Sequence, residues 1–382
     1  MVKWSELFET LLERGVEPIF IRLLAYVYRN QEYTVKWGQH VSKYFGVGNG
    51  VRQGGICSGI FFVVYIDKLL VILRKSGFGC RIYGVFYGAM IYADDIFLLS
   101  ASRTGLQEMI NISHRFAAKM NLRFGTNAIP DKSKTKCIIF SQKRQVKGPI
   151  KEIVLDGNIL PWVTQVKHLG HTIEADNSMS ADVNQKRCTF IGKVNSLMQE
   201  FHFATPEVLL KLVQTYACNV YGANVWNLFS KESQKLFTSY NVAIRNIFNL
   251  PRTTHRYLIE PVSDAPHLYS MLLSRYVTFS KSLLENHAFE VRFLADIMMK
   301  NMRSVLGKSI VKIGELCREK GDIYNISAKK VKDRVQYAPI PPAEVWRVSM
   351  VKELLNLRRS NMNPCGLTTD EMTALLEFAC TS

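Results

Sequence analysis

Two acidic residues stand side by side in an apolar segment of the sequence, AMIYADDIFLLS, at Asp94 and Asp95. The residues on both sides are typical of strands, and a carboxylate buried there without a partner would be costly. Carboxylates at the tip of a hairpin can instead bind Mg²⁺ through their oxygens and water. Two such ions stabilise the attacking and leaving oxygens of phosphoryl transfer. The segment therefore predicts a divalent-cation site or, alternatively, a turn whose acids simply face water.

The charge of the chain favours a polyanionic partner. Among 382 residues, 49 are basic and 32 acidic, which gives a net charge of +17, while 47% are hydrophobic and 21% charged. This composition is that of a globular protein. A basic excess of this size is typical of nucleic-acid binding, although a solvated basic surface is the plainer alternative.

Cysteine and histidine spacing indicates no metal centre. The eight cysteines include no CxxC pair, and we interpret them as reduced thiols of an intracellular, nuclear or cytoplasmic, protein. His168 and His171 lie in the segment KHLGHT, which we predict to be one strand, so that residues three apart face opposite sides. The sequence has no signal-peptide pattern and no apolar stretch of 18 residues, so no membrane span is expected.

Hydrophobic periodicity divides the chain near residue 178 into an α+β part and an all-helical part, which predicts the α+β fold class. Helices are predicted over 5–29, broken near Gly15, and over 56–77. Short strands are predicted from 80 to 100 and from 135 to 173. Helical periodicity then continues to the end, apart from a predicted loop or linker over 320–345. A closing helix is predicted to begin at Thr368 or Thr369.

Four motifs occur in one order along the first half of the chain: NGVRQGGICSGIFFVVYIDKLL, YADD, KSKTKCIIFS and VKHLGHTI. In this order and spacing they resemble the catalytic boxes of reverse transcriptases, and most closely those of non-LTR (LINE-like) retrotransposons. The resemblance covers about residues 1–180. It implies a palm-like antiparallel sheet with packed helices, followed by an all-α thumb and C-terminal region.

The resemblance also implies roles for individual residues. Asp94 would coordinate catalytic Mg²⁺ or Mn²⁺, and Asp95 would be a peripheral ligand, since neighbours on a strand face apart. Tyr92 and Ala93 would flank the primer terminus. Lys134 would assist the leaving pyrophosphate as a cation or proton donor, although KSKTK offers three lysines.

Further contacts to nucleic acid and nucleotide are implied for the glycine-rich motif. Gln53, Gly54 and Gly55 would approach the template and the nascent base pair, because glycine permits close backbone contact. Ser58 would cap the long helix that follows.

The implied domains are a palm remnant over 1–178, a helical thumb over 179–255 and a helical C-terminal region over 256–382. Leu169 and Gly170 would belong to the primer grip. The partners implied are an RNA template, a DNA primer and deoxynucleotides; the oligomeric state is left open.

The sequence departs from the family pattern at its start. The family carries another catalytic aspartate on a strand before the first helix, and here it would fall before Met1, since no aspartate precedes Asp67. Glu6 and Glu9 lie inside the predicted helix. The preceding fingers segments are not recognised, and Gly59 replaces the family's proline. We therefore expect a truncated retroelement copy or an incomplete gene product with impaired catalysis and weakened metal binding. The alternatives are a non-catalytic, basic nucleic-acid-binding remnant and a marginally folded one.

Overall fold

The computed structural model describes residues 2–52, 54–127, 129, 132–140, 151–319, 323–360 and 367–381. It divides into two compact units, residues 1–164 and 165–382. The segment QVKHLGHTI, which the sequence analysis placed before its boundary at 178, therefore lies in the second unit. The roles assigned to the three sequence regions stay predictions.

Four helices build most of the first unit. They are α1 (Trp4–Glu13), α2 (Pro18–Arg29), α3 (Ser58–Lys75) and α4 (Arg103–Lys119). The predicted break between the first two is confirmed: Gly15 adopts a left-handed φ of 81° after α1, and Pro18 begins α2. Ser102 caps the start of α4, because its hydroxyl accepts the Gly105 N–H at 3.0 Å.

The strands of the first unit are short and, in the described residues, pair only in twos. The ladders are antiparallel except for that of β9 with β12. The strands are β1 (Glu32–Tyr33), β2 (Lys36–Trp37), β3 (His40–Val41), β4 (Phe45–Gly46), β5 (Arg81–Ile82), β6 (Val85–Phe86), β7 (Ala89–Tyr92), β8 (Asp95–Leu98), β9 (Cys137–Ile138), β10 (Ile153–Leu155), β11 (Asn158–Leu160) and β12 (Trp162–Val163). The described chain combines helices with small, mostly antiparallel ladders, so the predicted α+β class is confirmed.

The core of the first unit lies between its helices and the β7–β8 ladder. Helix α3 turns Leu69 and Leu73 inward, where they meet Leu7 of α1 and Met109 of α4. Helix α2 buries only one stripe. Its other apolar side chains are exposed and share a face, as their spacing of three, four and seven residues requires: Ile19, Phe20, Leu23, Tyr26 and Val27.

The second unit begins with the hairpin β13 (Gln165–His168) and β14 (His171–Glu174) and continues as helices. The helices are α5 (Ser180–Glu200), α6 (Pro206–Tyr216), α7 (Lys231–Ile247), α8 (Ile259–Ser263), α9 (Leu268–Leu284), α10 (Phe289–Lys300), α11 (Val305–Cys317), α12 (Ala328–Arg334), α13 (Val345–Ser360) and α14 (Thr369–Thr381). The largest fully buried side chains of its core are aromatic and include Trp226, Phe237, Tyr240 and Tyr276.

The predicted loop over 320–345 contains one short α-helix. Helix α12 lies inside it and buries Val331 completely, packing on α9. Ser327 begins this helix by accepting the Lys330 N–H. Residues 320–322 lie outside the described part of the chain.

The predicted start of the closing helix is confirmed. The Thr368 hydroxyl accepts the Glu371 N–H at 3.2 Å, and the Glu371 carboxylate accepts the Thr368 N–H at 2.7 Å. This reciprocal pair is a capping box. Where the chain is described, none of its helices is long and apolar enough to cross a bilayer.

Candidate metal and nucleic-acid site

The two acids found in the sequence lie at the tip of the β7–β8 hairpin. Tyr92 pairs with Asp95 across the ladder, which leaves Ala93 and Asp94 as a two-residue turn. Ala93 adopts a φ of 51°, in the left-handed region that costs a residue with a Cβ about 1–2 kcal/mol. The predicted strand–turn–strand geometry is confirmed: Asp94 lies in the turn, and Asp95 occupies the first paired position of β8.

The hairpin is anchored at its base and open at its tip. Ala89 is buried, and Ile91 and Ile96 pack against the core of the first unit. By contrast, Tyr92 is 68% exposed. Asp94 and Asp95 are also exposed, so neither carboxylate loses its water or bears the cost of burial.

Within the described residues, neither acid forms an ion pair or a side-chain hydrogen bond. That part of the chain also brings no three histidine, cysteine, aspartate or glutamate side chains together as metal ligands. The donor set is therefore two adjacent carboxylates. Hard oxygen ligands suit Mg²⁺ and Mn²⁺, which commonly keep water or substrate phosphate in their remaining positions. Asp94 and Asp95 thus fit part of a divalent-cation site.

The glycine-rich segment before α3 forms a tight turn. Gly54 has a φ of 80°, and a Cβ on Gly55 would lie 2.6 Å from the Ser58 hydroxyl oxygen. Ser58 is not the cap that the sequence analysis assigned: it is the first helical residue, Cys57 precedes it, and its hydroxyl donates to the Arg52 carbonyl at 2.6 Å. The Ser58 hydroxyl therefore stabilises the turn and does not cap the helix. Gln53 lies outside the described residues.

This turn permits a prediction about stability. Gly54→Ala is expected to lower the free energy of unfolding by about 1 kcal/mol, because alanine is strained at a left-handed φ. Gly59→Ala is the matched control, since Gly59 lies in α3 with open space around its Cα and alanine favours helix there. Urea unfolding should show opposite signs for the two variants; equal losses would contradict the assigned backbone conformation.

The structure does not select one lysine from the KSKTK segment. Lys132, Lys134 and Lys136 are all exposed, on the approach to β9. The Lys134 backbone N–H donates to the Gly125 carbonyl at 3.1 Å, which fixes the chain there. No ion pair or hydrogen bond among the described residues joins Lys134 to either acid. Its role stays a prediction.

The other predicted contact lies in the second unit, at the turn of the β13–β14 hairpin. Leu169 and Gly170 form this turn with φ values of 46° and 76°. His168 and His171 are therefore cross-strand partners. The argument that they face opposite sides of one strand is wrong, because the chain reverses between them. Asp182, Lys186 and Tyr221, which hold this turn, gave no signal in the sequence, since each lies far along the chain from it.

Part of the chain is similar in sequence to known proteins. Residues 1–173 match the family model for the reverse transcriptase (RNA-dependent DNA polymerase). The chain is 26% identical over 140 residues to the Retrovirus-related Pol polyprotein from type-2 retrotransposable element R2DM of Drosophila melanogaster, covering 35% of this chain and 13% of that protein. It is 27% identical over 162 residues to the corresponding polyprotein from type-1 retrotransposable element R2 of Nasonia vitripennis, covering 42% and 15%. The matched region thus spans less than a sixth of either relative.

Proposed function

We propose, on the premise that residues 1–173 form a reverse transcriptase domain, that this chain carries part of the RNA-directed DNA polymerase site of a non-LTR retrotransposon. The observation that carries the proposal is the exposed Asp94–Asp95 pair at the tip of an anchored hairpin. Surface acids that serve only a turn need neither an apolar base on both strands nor a strained Ala93. The same features suit a rigid holder for a divalent cation.

The proposed substrates are an RNA template, a DNA primer and deoxynucleotides. The net charge of +17 supports polyanionic partners, because lysine and arginine replace the counterions of the phosphate backbone. Both relatives are polyproteins of retrotransposable elements, which supports a retrotransposon origin.

In this mechanism Asp94 would hold Mg²⁺ or Mn²⁺, and Asp95 would add negative charge from the neighbouring strand position. The cation, when bound, supplies charge stabilisation at the attacking and leaving oxygens. Tyr92 lies directly across the ladder from Asp95 and offers an exposed ring beside the primer terminus. Gly54 and Gly55 present backbone without side chains, which permits close approach by the template. Lys134 is a candidate cation for the pyrophosphate.

We further propose that catalysis by this chain alone is severely impaired. A site for two metal ions needs carboxylates on both sides of the ions, and the described residues place no third carboxylate beside Asp94 and Asp95. A positioning error of about 1 Å can cost roughly a hundredfold in rate. The alternative function, a non-catalytic nucleic-acid-binding protein, uses the same surfaces without the chemistry.

Primer extension tests the proposal. With an RNA template, a labelled DNA primer, deoxynucleotides and Mg²⁺ or Mn²⁺, we expect the chain to bind the duplex and to extend it no further than background. The logarithm of the binding constant should fall linearly with the logarithm of the salt concentration. Processive extension that is lost in Asp94→Asn would overturn the impairment. A failure to bind the duplex even at low salt would overturn the nucleic-acid function itself.

A further inference from the structure

A buried carboxylate lies beneath the β13–β14 hairpin. Asp182, in the first turn of α5, is only 2% exposed. It accepts hydrogen bonds from the Thr172 backbone N–H at 3.0 Å and from the Trp226 indole N–H at 2.8 Å. His171 Nδ1 lies 3.1 Å away. This distance is within hydrogen-bonding range.

One helical turn further on, Lys186 contacts the turn of the hairpin itself. Its Nζ donates to the Gly170 carbonyl at 2.5 Å and lies 5.6 Å from the centre of the Tyr221 ring. The same ammonium is 4.0 Å from Asp182, so part of the buried negative charge is balanced beside the turn. Asp182 and Lys186 therefore contact consecutive residues of the turn and of the start of β14.

Tyr221 and Gly222, in the segment after α6, also contact the hairpin. Tyr221 stacks near the His171 ring, with centroids 5.5 Å apart, and a Cβ on Gly170 would lie 3.1 Å from the Tyr221 ring. A Cβ on Gly222 would lie 1.8 Å from the His171 ring, so only glycine allows this approach. These contacts leave the hairpin little freedom to shift.

The position of the hairpin depends on this network because the hairpin has no sheet to hold it. Strands β13 and β14 pair only with each other among the described residues, and two-stranded hairpins are marginally stable alone. The open end is fixed separately, where Glu174 accepts the Ala181 N–H at 2.9 Å. The turn end is fixed by Asp182 and Lys186.

We infer that Asp182 is a positioning residue for the Leu169–Gly170 turn, acting through His171 and Lys186. This inference rests on the proposed function for its second step, in which the turn supports the primer strand of a template–primer duplex. The carboxylate itself contacts no nucleic acid, because it is buried. Its effect is to keep the turn backbone in one place.

The test combines hydrogen exchange with duplex binding in the full chain. Asp182→Asn keeps the size of the side chain but loses acceptor capacity, so exchange in 165–174 should rise about tenfold or more. Exchange in α7, α9 and α11 should not change. Affinity for a labelled RNA–DNA duplex should fall about tenfold, since the turn is no longer held.

Lys186→Met and Lys193→Met provide a second, charge-matched pair. Both lysines lie on α5, but Lys193 donates to the Tyr216 carbonyl and does not contact the turn. We expect Lys186→Met to raise exchange in 165–174 and weaken binding more than Lys193→Met. This pair decides the question even if Asp182→Asn does not fold.

The outcomes separate the inference from the proposed function. Unchanged exchange in 165–174, or equal effects of the two lysine variants, would overturn the positioning role. Raised exchange with unchanged duplex affinity would overturn the link to the primer strand. A wild-type chain that binds no duplex would end the proposed function, while the exchange data would still decide whether Asp182 positions the turn.

Discussion

Asp94→Asn is expected to weaken Mn²⁺ binding by at least about a hundredfold while leaving duplex binding unchanged or tighter. The carboxylate is one of two ligands that the described residues offer, and changing even an outer partner of a metal ligand costs about 10–100-fold. Removing its negative charge also removes repulsion against phosphate. Titration of Mn²⁺ followed by electron paramagnetic resonance measures the first effect, and fluorescence anisotropy of a labelled duplex measures the second.

Asp156→Asn is the matched control. Asp156 also lies in an exposed two-residue hairpin turn of the same unit, and its φ of 52° is one that asparagine tolerates. It should leave Mn²⁺ binding unchanged. Asp95→Asn should have a smaller effect than Asp94→Asn. Equal losses in the Asp94 and Asp156 variants would show that the cation responds to overall surface charge and that the hairpin is no metal site.

Acidification from about pH 6.5 to about pH 4 is expected to lower the free energy of unfolding of the second unit by about 3 kcal/mol through His267 alone. Burial lowers the pKa of His267 from 6.5 to about 3. Between these two pKa values the unfolded chain binds the proton and the folded chain does not, so stability is lost as the pH falls.

The contacts of His267 explain why the folded state holds it neutral. Nδ1 accepts the Tyr269 N–H at 2.9 Å at the start of α9. Its lone pair is therefore occupied, and Nδ1 cannot bind a proton while this bond exists. Nε2 donates to Asn241 at 2.7 Å. The ring stacks on Tyr337 with centroids 4.3 Å apart. Protonation would break the cap and leave a buried charge.

Urea unfolding of wild type and His267→Asn over this pH range tests the prediction. Asparagine can cap α9 but does not titrate, so the variant should lose stability at pH 7 yet show a shallower pH dependence. Glu260 acts in the opposite direction in both proteins, because burial raises the pKa of its carboxyl group. The difference between the two proteins is therefore free of the contribution of Glu260. An identical pH dependence in the two proteins would contradict a buried neutral imidazole.

Features fixed by neighbouring residues could be predicted from the sequence. The Asp156–Gly157 turn has positive φ at both positions, as that dipeptide requires in a tight hairpin. The reciprocal bonds of Thr368 and Glu371 follow from their spacing. The hairpin of Asp94 was predicted because its turn and both strands are continuous in sequence. Its proposed metal-binding role stays a prediction.

Features set by contacts between residues that are distant in the sequence could not be predicted from it. Asp182 reaches Trp226 across 44 positions, and no local pattern links them. The Leu169–Gly170 turn carries leucine at a φ of 46°, a conformation for which leucine gives no signal. Helix α12 has only seven residues, too few for periodicity to distinguish it from a loop, and it forms because Val331 is buried by packing on α9.

The exposed apolar face of α2 opposes the effect of the net charge of +17. Contiguous apolar surface favours self-association, whereas like charges keep molecules apart at low ionic strength. Salt shortens the reach of that repulsion to about 8 Å at 0.15 M and leaves apolar attraction intact. Added electrolyte should therefore push this protein toward clustering, and under the proposed function a bound polynucleotide would act as a solubilising counterion that salt displaces.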